Sequence, residues 1–186
     1  QAEVAPDPSF LFAMRPSVPR MLPAVPDDYL VQAKYDGWNI VVNGGRVWTR
    51  RGKDITPWRQ DWGFDLNPRV AAFDVMLAGP LLEERLDRVR QLASGAMQPA
   101  PTKDLLGASW DDVNRMLEDA RAQGHEGLVL KRKGSRYFTS RVVSIVTEDW
   151  LKVKVPVRSV PARARAAAAA AGSAATLAAG VGLLSR

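Results

Sequence analysis

From Tyr29 to Gly52 the chain reads "YLVQAKYDGWNIVVNGGRVWTRRG", and its alternation of apolar and polar positions predicts strand, turn, strand. Asn43-Gly44-Gly45 supplies residues that tolerate the positive φ angles of a tight hairpin. Lys34 then falls at a strand end, where a reactive side chain can face a cleft. The following "ITPWRQDWGFDLNPR" has no period and predicts irregular chain. "VAAFDVMLAG" is a short continuous apolar run, which predicts a buried strand ended by Gly79-Pro80.

Leu81, Leu82, Leu86, Val89 and Leu92 recur at helical spacing with charges between them, predicting an amphipathic helix. "SWDDVNRMLEDARAQG" predicts a second one. Ser109 is a good N-cap with Asp112 three residues on, Trp110, Val113, Met116, Leu117 and Ala120 form the apolar stripe, and Gly124 ends it. "EGLVLKRKG" and "DWLKVKVPV" predict two more strands. In the second, Lys152 and Lys154 share a face. Like charges so placed repel by roughly 0.2 to 1 kcal/mol, so an anion or solvent must compensate them.

The ends of the chain differ from its middle. Residues 1–20 are interrupted by prolines where a signal peptide would need an apolar core, and are expected to form an extended strap. From Val160 the chain is rich in alanine, with glycine interruptions and four bulky aliphatics after Arg165. Residues 158–186 are therefore expected to be a low-complexity tail rather than a membrane span. The expected domain is 21–157.

Composition narrows the chemistry. The 186 residues carry 26 Lys and Arg against 20 Asp and Glu, a net charge of +6. Three of those charges, Arg163, Arg165 and Arg186, lie in an acid-free C-terminal stretch, so the body is only mildly basic and charge alone does not name a polyanionic partner. Cysteine is absent and His125 is the sole histidine. That excludes disulfides, thiolate metal sites and a histidine-rich metal site, and suits a cytoplasmic location.

Five short elements can form one site: the lysine of "KYDG", the arginines of "TRRGKDIT", the aromatic strand "FDVM", the glutamate of "EGLVLK" and the paired lysines of "WLKVK". A lysine amine is protonated at neutral pH, and neighbouring cations favour its nucleophilic form. If Lys152, Lys154 and a Mg²⁺ flank Lys34, the same charges bind the phosphate that it attacks. Each element alone has a plainer reading: Lys34 and Asp36 as a surface pair, Phe73 as core, Glu126 as a solvated strand end, the paired lysines as a guarded sheet edge. His125 is expected to have no partner.

Taken in order, these elements resemble the adenylyltransferase domain of ATP-dependent DNA ligases, most of all the bacterial enzymes of repair and end joining. The resemblance implies an α+β fold: an antiparallel-sheet, ATP-grasp-like nucleotidyltransferase domain with flanking helices. It implies that Lys34, Asp36 and Gly37 form the KxDG signature carrying the adenylylated lysine, and that Arg50 contacts ribose and the DNA end. Phe73 would stack on adenine opposite Val129, Glu126 would work with Mg²⁺ or Mn²⁺, and Lys152 and Lys154 would hold the α-phosphate. The implied partners are ATP and nicked duplex DNA, bound by a monomer.

Three departures qualify this. Asn39 stands where the family's KxDGxR has arginine. No glutamate lies between Thr56 and Arg69, where the family has a DGE strand; Asp61 and Asp65 are the available substitutes. The Ala-rich tail stands where the family continues into an oligonucleotide-binding barrel. The alternatives are a catalytically silent nucleotide-binding or nucleic-acid-binding module, whose basic face would be Arg50, Arg51, Lys131, Arg132, Lys133, Lys152 and Lys154, and an RNA ligase or capping-type nucleotidyltransferase.

Overall fold

The computed structural model describes residues 10–43, 45–57, 70–93 and 97–158. Gly44, the segment 58–69 with Asp61 and Asp65, and the expected tail from 159 onward lie outside the described residues. The elements in chain order are β1 (Arg15–Ser17), β2 (Tyr29–Lys34), β3 (Ile40–Asn43), β4 (Arg46–Thr49), β5 (Val70–Ala72), α1 (Leu82–Leu92), β6 (Met97–Pro99), β7 (Thr102–Asp104), α2 (Trp110–Ala122), β8 (Gly127–Arg132) and β9 (Val146–Val153).

Five strands form the main sheet in the order β1-β9-β8-β2-β7. All its pairs are antiparallel except β1 with β9, which is parallel. The α+β expectation holds. The predicted hairpin is β3–β4, a separate two-stranded sheet. The apolar run at Phe73 differs from expectation: only Val70–Ala72 is strand, paired in parallel with β6, and residues 71–76 are half-buried rather than buried. Among the described residues its one strand partner is the three-residue β6, and residues 73–77 run on along a cleft.

Both predicted helices form where the periodicity places them. Ser109 Oγ accepts from the Asp112 N–H at 3.1 Å while Asp112 Oδ2 accepts from the Ser109 N–H at 2.7 Å, a reciprocal cap that satisfies two otherwise orphaned donors. Gly124, at φ +83°, closes the other end: its N–H donates to the Arg121 carbonyl and that of His125 to the Ala120 carbonyl. Trp110, Val113, Leu117 and Ala120 pack against Tyr29, Val31, Leu128, Leu130, Leu151 and Val153 of the sheet. Burying each of these larger side chains contributes about 1.5 to 3 kcal/mol.

In α1, Leu82, Leu86 and Val89 are buried as predicted, whereas Leu81 and Leu92 are exposed. Arg85 takes a place in the buried stripe instead. Its guanidinium donates to Asp74 Oδ1 at 2.8 Å and to the carbonyls of Pro80 and Ser135 at 3.0 and 2.9 Å, which satisfies a charge that burial would otherwise make costly. At the N-terminal side, Phe10 and Met14 are buried and β1 borders β9. No helix among the described residues is long and apolar enough to cross a membrane.

Candidate active site

Strand alternation builds the site. Tyr29 and Val31 of β2, Leu128 and Leu130 of β8, and Leu151 and Val153 of β9 point into the core under α2. Gln32 and Lys34, Val129 and Lys131, and Trp150 and Lys152 therefore share the opposite face. Registration sets them in rows. Val129 lies between Gln32 and Lys152, Lys131 faces Trp150, and Lys34 faces Gly127. A large open cleft covers this face, and its lining includes Asp36, Gly37, Arg50, Phe73 and Glu126 as well.

At the end of β2, Lys34 Nζ and Lys154 Nζ both donate to Glu126 Oε2, the latter at 2.8 Å. The backbone closes the same unit, because the Glu126 N–H donates to the Lys34 carbonyl at 2.8 Å. Lys154 first and Lys34 second hold the Glu126 carboxyl down at about 2. Three residues 92 and 28 positions apart in the chain thus form one charged cluster. Lys34 pairs with Glu126, so the plain reading of a Lys34–Asp36 surface pair is overturned; Asp36 and Gly37 sit exposed on the loop leaving β2.

The close approach of β9 depends on Gly127. A Cβ there would stand 2.3 Å from the Val153 carbonyl oxygen and 3.3 Å from Lys154 Cα. Only glycine lets Lys154 reach the residue next to it. Lys152, one row along, pairs with no carboxylate among the described residues, which leaves its ammonium available to an anion in the cleft.

Phe73 is held by its backbone. Its carbonyl accepts from Lys131 Nζ at 2.9 Å and from Gln32 Nε2 at 3.4 Å, and its ring meets that of Tyr35 edge-on at 5.3 Å. Lys131 is itself buried, 3.3 Å from Asp74 Oδ2 and 4.1 Å above the Trp150 ring. Burial pushes its pKa down, against the opposing pull of Asp74. The expected basic face is corrected accordingly. Lys131 is internal, Arg132 pairs with Asp149 at 3.3 Å, and Lys133 pairs with Asp104 and the Asp27 carbonyl.

Arg50 and Arg51 are exposed on the turn after β4 and line the same cleft as the Lys34 cluster. The Arg50 N–H donates to the Asn39 carbonyl at 3.1 Å, which ties the hairpin to the loop after Lys34. His125 has a partner after all: its ring stacks obliquely on Tyr35 with centroids 4.3 Å apart.

Two residues escaped the sequence reading. Gln32 is almost fully buried, and its Oε1 accepts no hydrogen bond, although Nε2 also bonds Thr102 at 2.9 Å. A buried acceptor without a donor on a cleft wall invites a ligand N–H. Its signal was present: Gln32 stands two residues before Lys34 in a strand, hence on the same face. Asp74, the anchor of both Arg85 and Lys131, gave no comparable signal.

For a metal, the described residues hold no group of three or more His, Asp or Glu side chains. Glu126, the one carboxylate bonded to the site lysines, does not make a protein cage. A lone carboxylate does fit Mg²⁺ or Mn²⁺ carried in on phosphates with most of its waters retained.

No sequence-family model and no curated protein matches the chain. Its fold does match solved structures. A structure from a study of Lig E DNA ligases superposes with TM-score 0.57 at 20% identity, over 70% of this chain and 63% of that one. The Chlorella virus DNA ligase-adenylate gives 0.57 at 14% identity, over 77% and 67%. The ligase domain of LigD from M. tuberculosis gives 0.53 at 19%, over 77% and 60%. The chain thus spans about two thirds of the length of these structures. It has the α+β nucleotidyltransferase fold that ATP-dependent DNA ligases share.

Proposed function

We propose that the cleft binds ATP and that Lys34 accepts its adenylyl group, the first step of sealing nicked duplex DNA. The observation that carries this is the Lys34–Glu126–Lys154 cluster at the end of β2, with Lys152 one row away on the same face. Phe73, fixed through its carbonyl, would stack on adenine across from Val129. The unpartnered Gln32 Oε1 would accept from the exocyclic amine at C6 of adenine, a contact that guanine, with a carbonyl oxygen at C6, could not make. The neighbour whose name includes an adenylate supports ATP as the ligand.

The chemistry balances as follows. The Lys34 amine attacks the α-phosphorus, an N–P bond forms, the bond to pyrophosphate breaks, and the amine's proton leaves to solvent. Lys152 and Lys154 neutralise the charge that develops on the α-phosphate oxygens. Glu126 orients Lys34 and can hold one edge of a divalent cation, which when bound supplies further neutralisation of the phosphates. The AMP would then pass to a DNA 5′-phosphate, from which a 3′-hydroxyl displaces it. Arg50 and Arg51 on the rim have the charge to meet that DNA end.

Incubation with α-labelled ATP and Mg²⁺, followed by denaturing electrophoresis, tests the first step. Wild-type protein should carry an acid-labile label that Lys34→Ala lacks. The variant should stay folded, since Glu126 keeps Lys154. A folded wild type that takes up no label but binds ATP reversibly would instead establish the silent binding module, which the lack of a DGE sequence between Thr56 and Arg69 favours.

A further inference from the structure

Lys154 reaches Glu126 from beyond the end of the sheet. The paired register of β9 stops at Val153, opposite Leu128, and the Lys154 side chain is half exposed. Strand pairing therefore does not fix it. Helix α2, on the far side of the sheet from the cleft, does. Asn114 Nδ2 donates to the Val157 carbonyl at 2.8 Å, and Asn114 Oδ1 accepts from the Val157 N–H at 2.7 Å. Seven residues on, the Arg121 guanidinium donates to the Lys154 carbonyl.

The spacings are of the same order. Residues 114 and 121 lie two helical turns apart on one face, about 10.5 Å along the axis. Lys154 and Val157 are three residues apart, which spans at most about 10 Å, and the chain bends at Val155 between them. The segment after β9 is thus tied along α2 at both ends, with Pro156 between the ties where no N–H is needed. An asparagine amide that bonds both backbone groups of one residue does what a neighbouring strand would do. Asparagine is a poor helix former, so its place inside α2 calls for this use.

We propose that Asn114 and Arg121 are positioning residues that set the Lys154 ammonium at Glu126, and so the affinity of the cleft for a nucleotide phosphate. The second half of this rests on the nucleotide-binding reading above; the first half does not.

Two measurements on the full chain separate them. Brief acetylation with acetic anhydride, read by mass spectrometry, should modify Lys154 several-fold faster in Asn114→Ala and Arg121→Ala than in wild type. Buried Lys131 should stay unmodified in all three, which reports an intact fold. Binding of AMP should weaken about tenfold in these variants, the loss of one charge-assisted hydrogen bond, while binding of adenosine is unchanged. Asn114→Asp, which keeps an acceptor for the Val157 N–H, should fall between. If Asn114→Ala does not fold, exposed Arg121→Ala carries the test. Unchanged Lys154 acetylation with Lys131 protected overturns the positioning role. Faster acetylation with no AMP binding by wild type upholds the positioning and overturns the nucleotide reading.

Discussion

The two faces of the central sheet are made by the same strands and follow opposite rules. Under α2, Tyr29, Val31, Leu128, Leu130, Leu151 and Val153 close a dry apolar layer. On the cleft side, Gln32, Lys34, Lys131 and Lys152 take the alternate positions. One-residue steps separate the most buried apolar contact from a charge. The apolar face is held by area and shape, so an apolar side chain of similar volume serves. The cleft face is held by specific partners: Asp74 for Lys131, Glu126 for Lys34 and Lys154, the Phe73 carbonyl for Gln32. Removing one member there changes what its neighbours bind.

Adjacent substitutions on opposite faces break this comparison most strongly. Leu130 is fully buried, and Leu130→Ala should cost about 2 to 5 kcal/mol through the lost transfer energy and the cavity. Chemical denaturation would read it. ATP affinity, extrapolated to the folded fraction, should hardly move. Lys131→Met keeps the volume and leaves Asp74 with Arg85, so its cost should be smaller, about 1 to 3 kcal/mol for the hydrogen bonds removed. It frees the Phe73 carbonyl from its shorter tie, however, so nucleotide binding should weaken out of proportion to stability. Equal ratios of the two effects in both variants would abolish the distinction between faces.

Gly127→Ala tests the place where the two faces meet. The added Cβ would overlap the Val153 carbonyl oxygen and force β8 and β9 apart at their ends, at a cost of about 1 to 3 kcal/mol. The strands should stay paired from Leu128 to Lys131, so the fold survives. Lys154 should move away from Glu126, with AMP binding the first property to fail. Calorimetric titration beside a melting curve distinguishes this from general loosening.

How much of this was legible in the sequence follows the same division. The apolar face was, because period two and period 3.6 are written in residue type. Ser109, Gly124 and the stripe from Trp110 to Ala120 mark α2 nearly to the residue, and the alternation of Leu151 and Val153 marks β9. Lys34, Glu126 and Lys154 are far apart in the chain, and no local pattern joins them; the resemblance to the ligase motifs did. Arg85 is one of the charges between the apolar positions of α1, and nothing local marks it as buried, because its partner, Asp74, is set by a tertiary contact. Strands β6 and β7 are three residues each amid prolines, too short to leave a period. His125 looks alone in the sequence because a stacking partner across a loop, Tyr35, leaves no trace in spacing.

The smallest effect sharpens the comparison through pH. Glu126 has its carboxyl held at about 2 by Lys154 and Lys34, against an ordinary value near 4.3 in an unfolded chain. A carboxyl whose folded value is depressed contributes stability that is complete above the unfolded value and lost as pH falls through the folded one. Wild type should therefore exceed Glu126→Gln in melting temperature by a constant margin above about pH 5, and the margin should shrink between about pH 4.5 and pH 2. Leu130→Ala carries no such group. Its deficit against wild type should stay flat across the same window, because an apolar cavity does not titrate. A margin for Glu126→Gln that is equally flat would mean that the lysine cluster does not form in solution, and the cleft would then lack the charge arrangement on which the proposed phosphate binding rests.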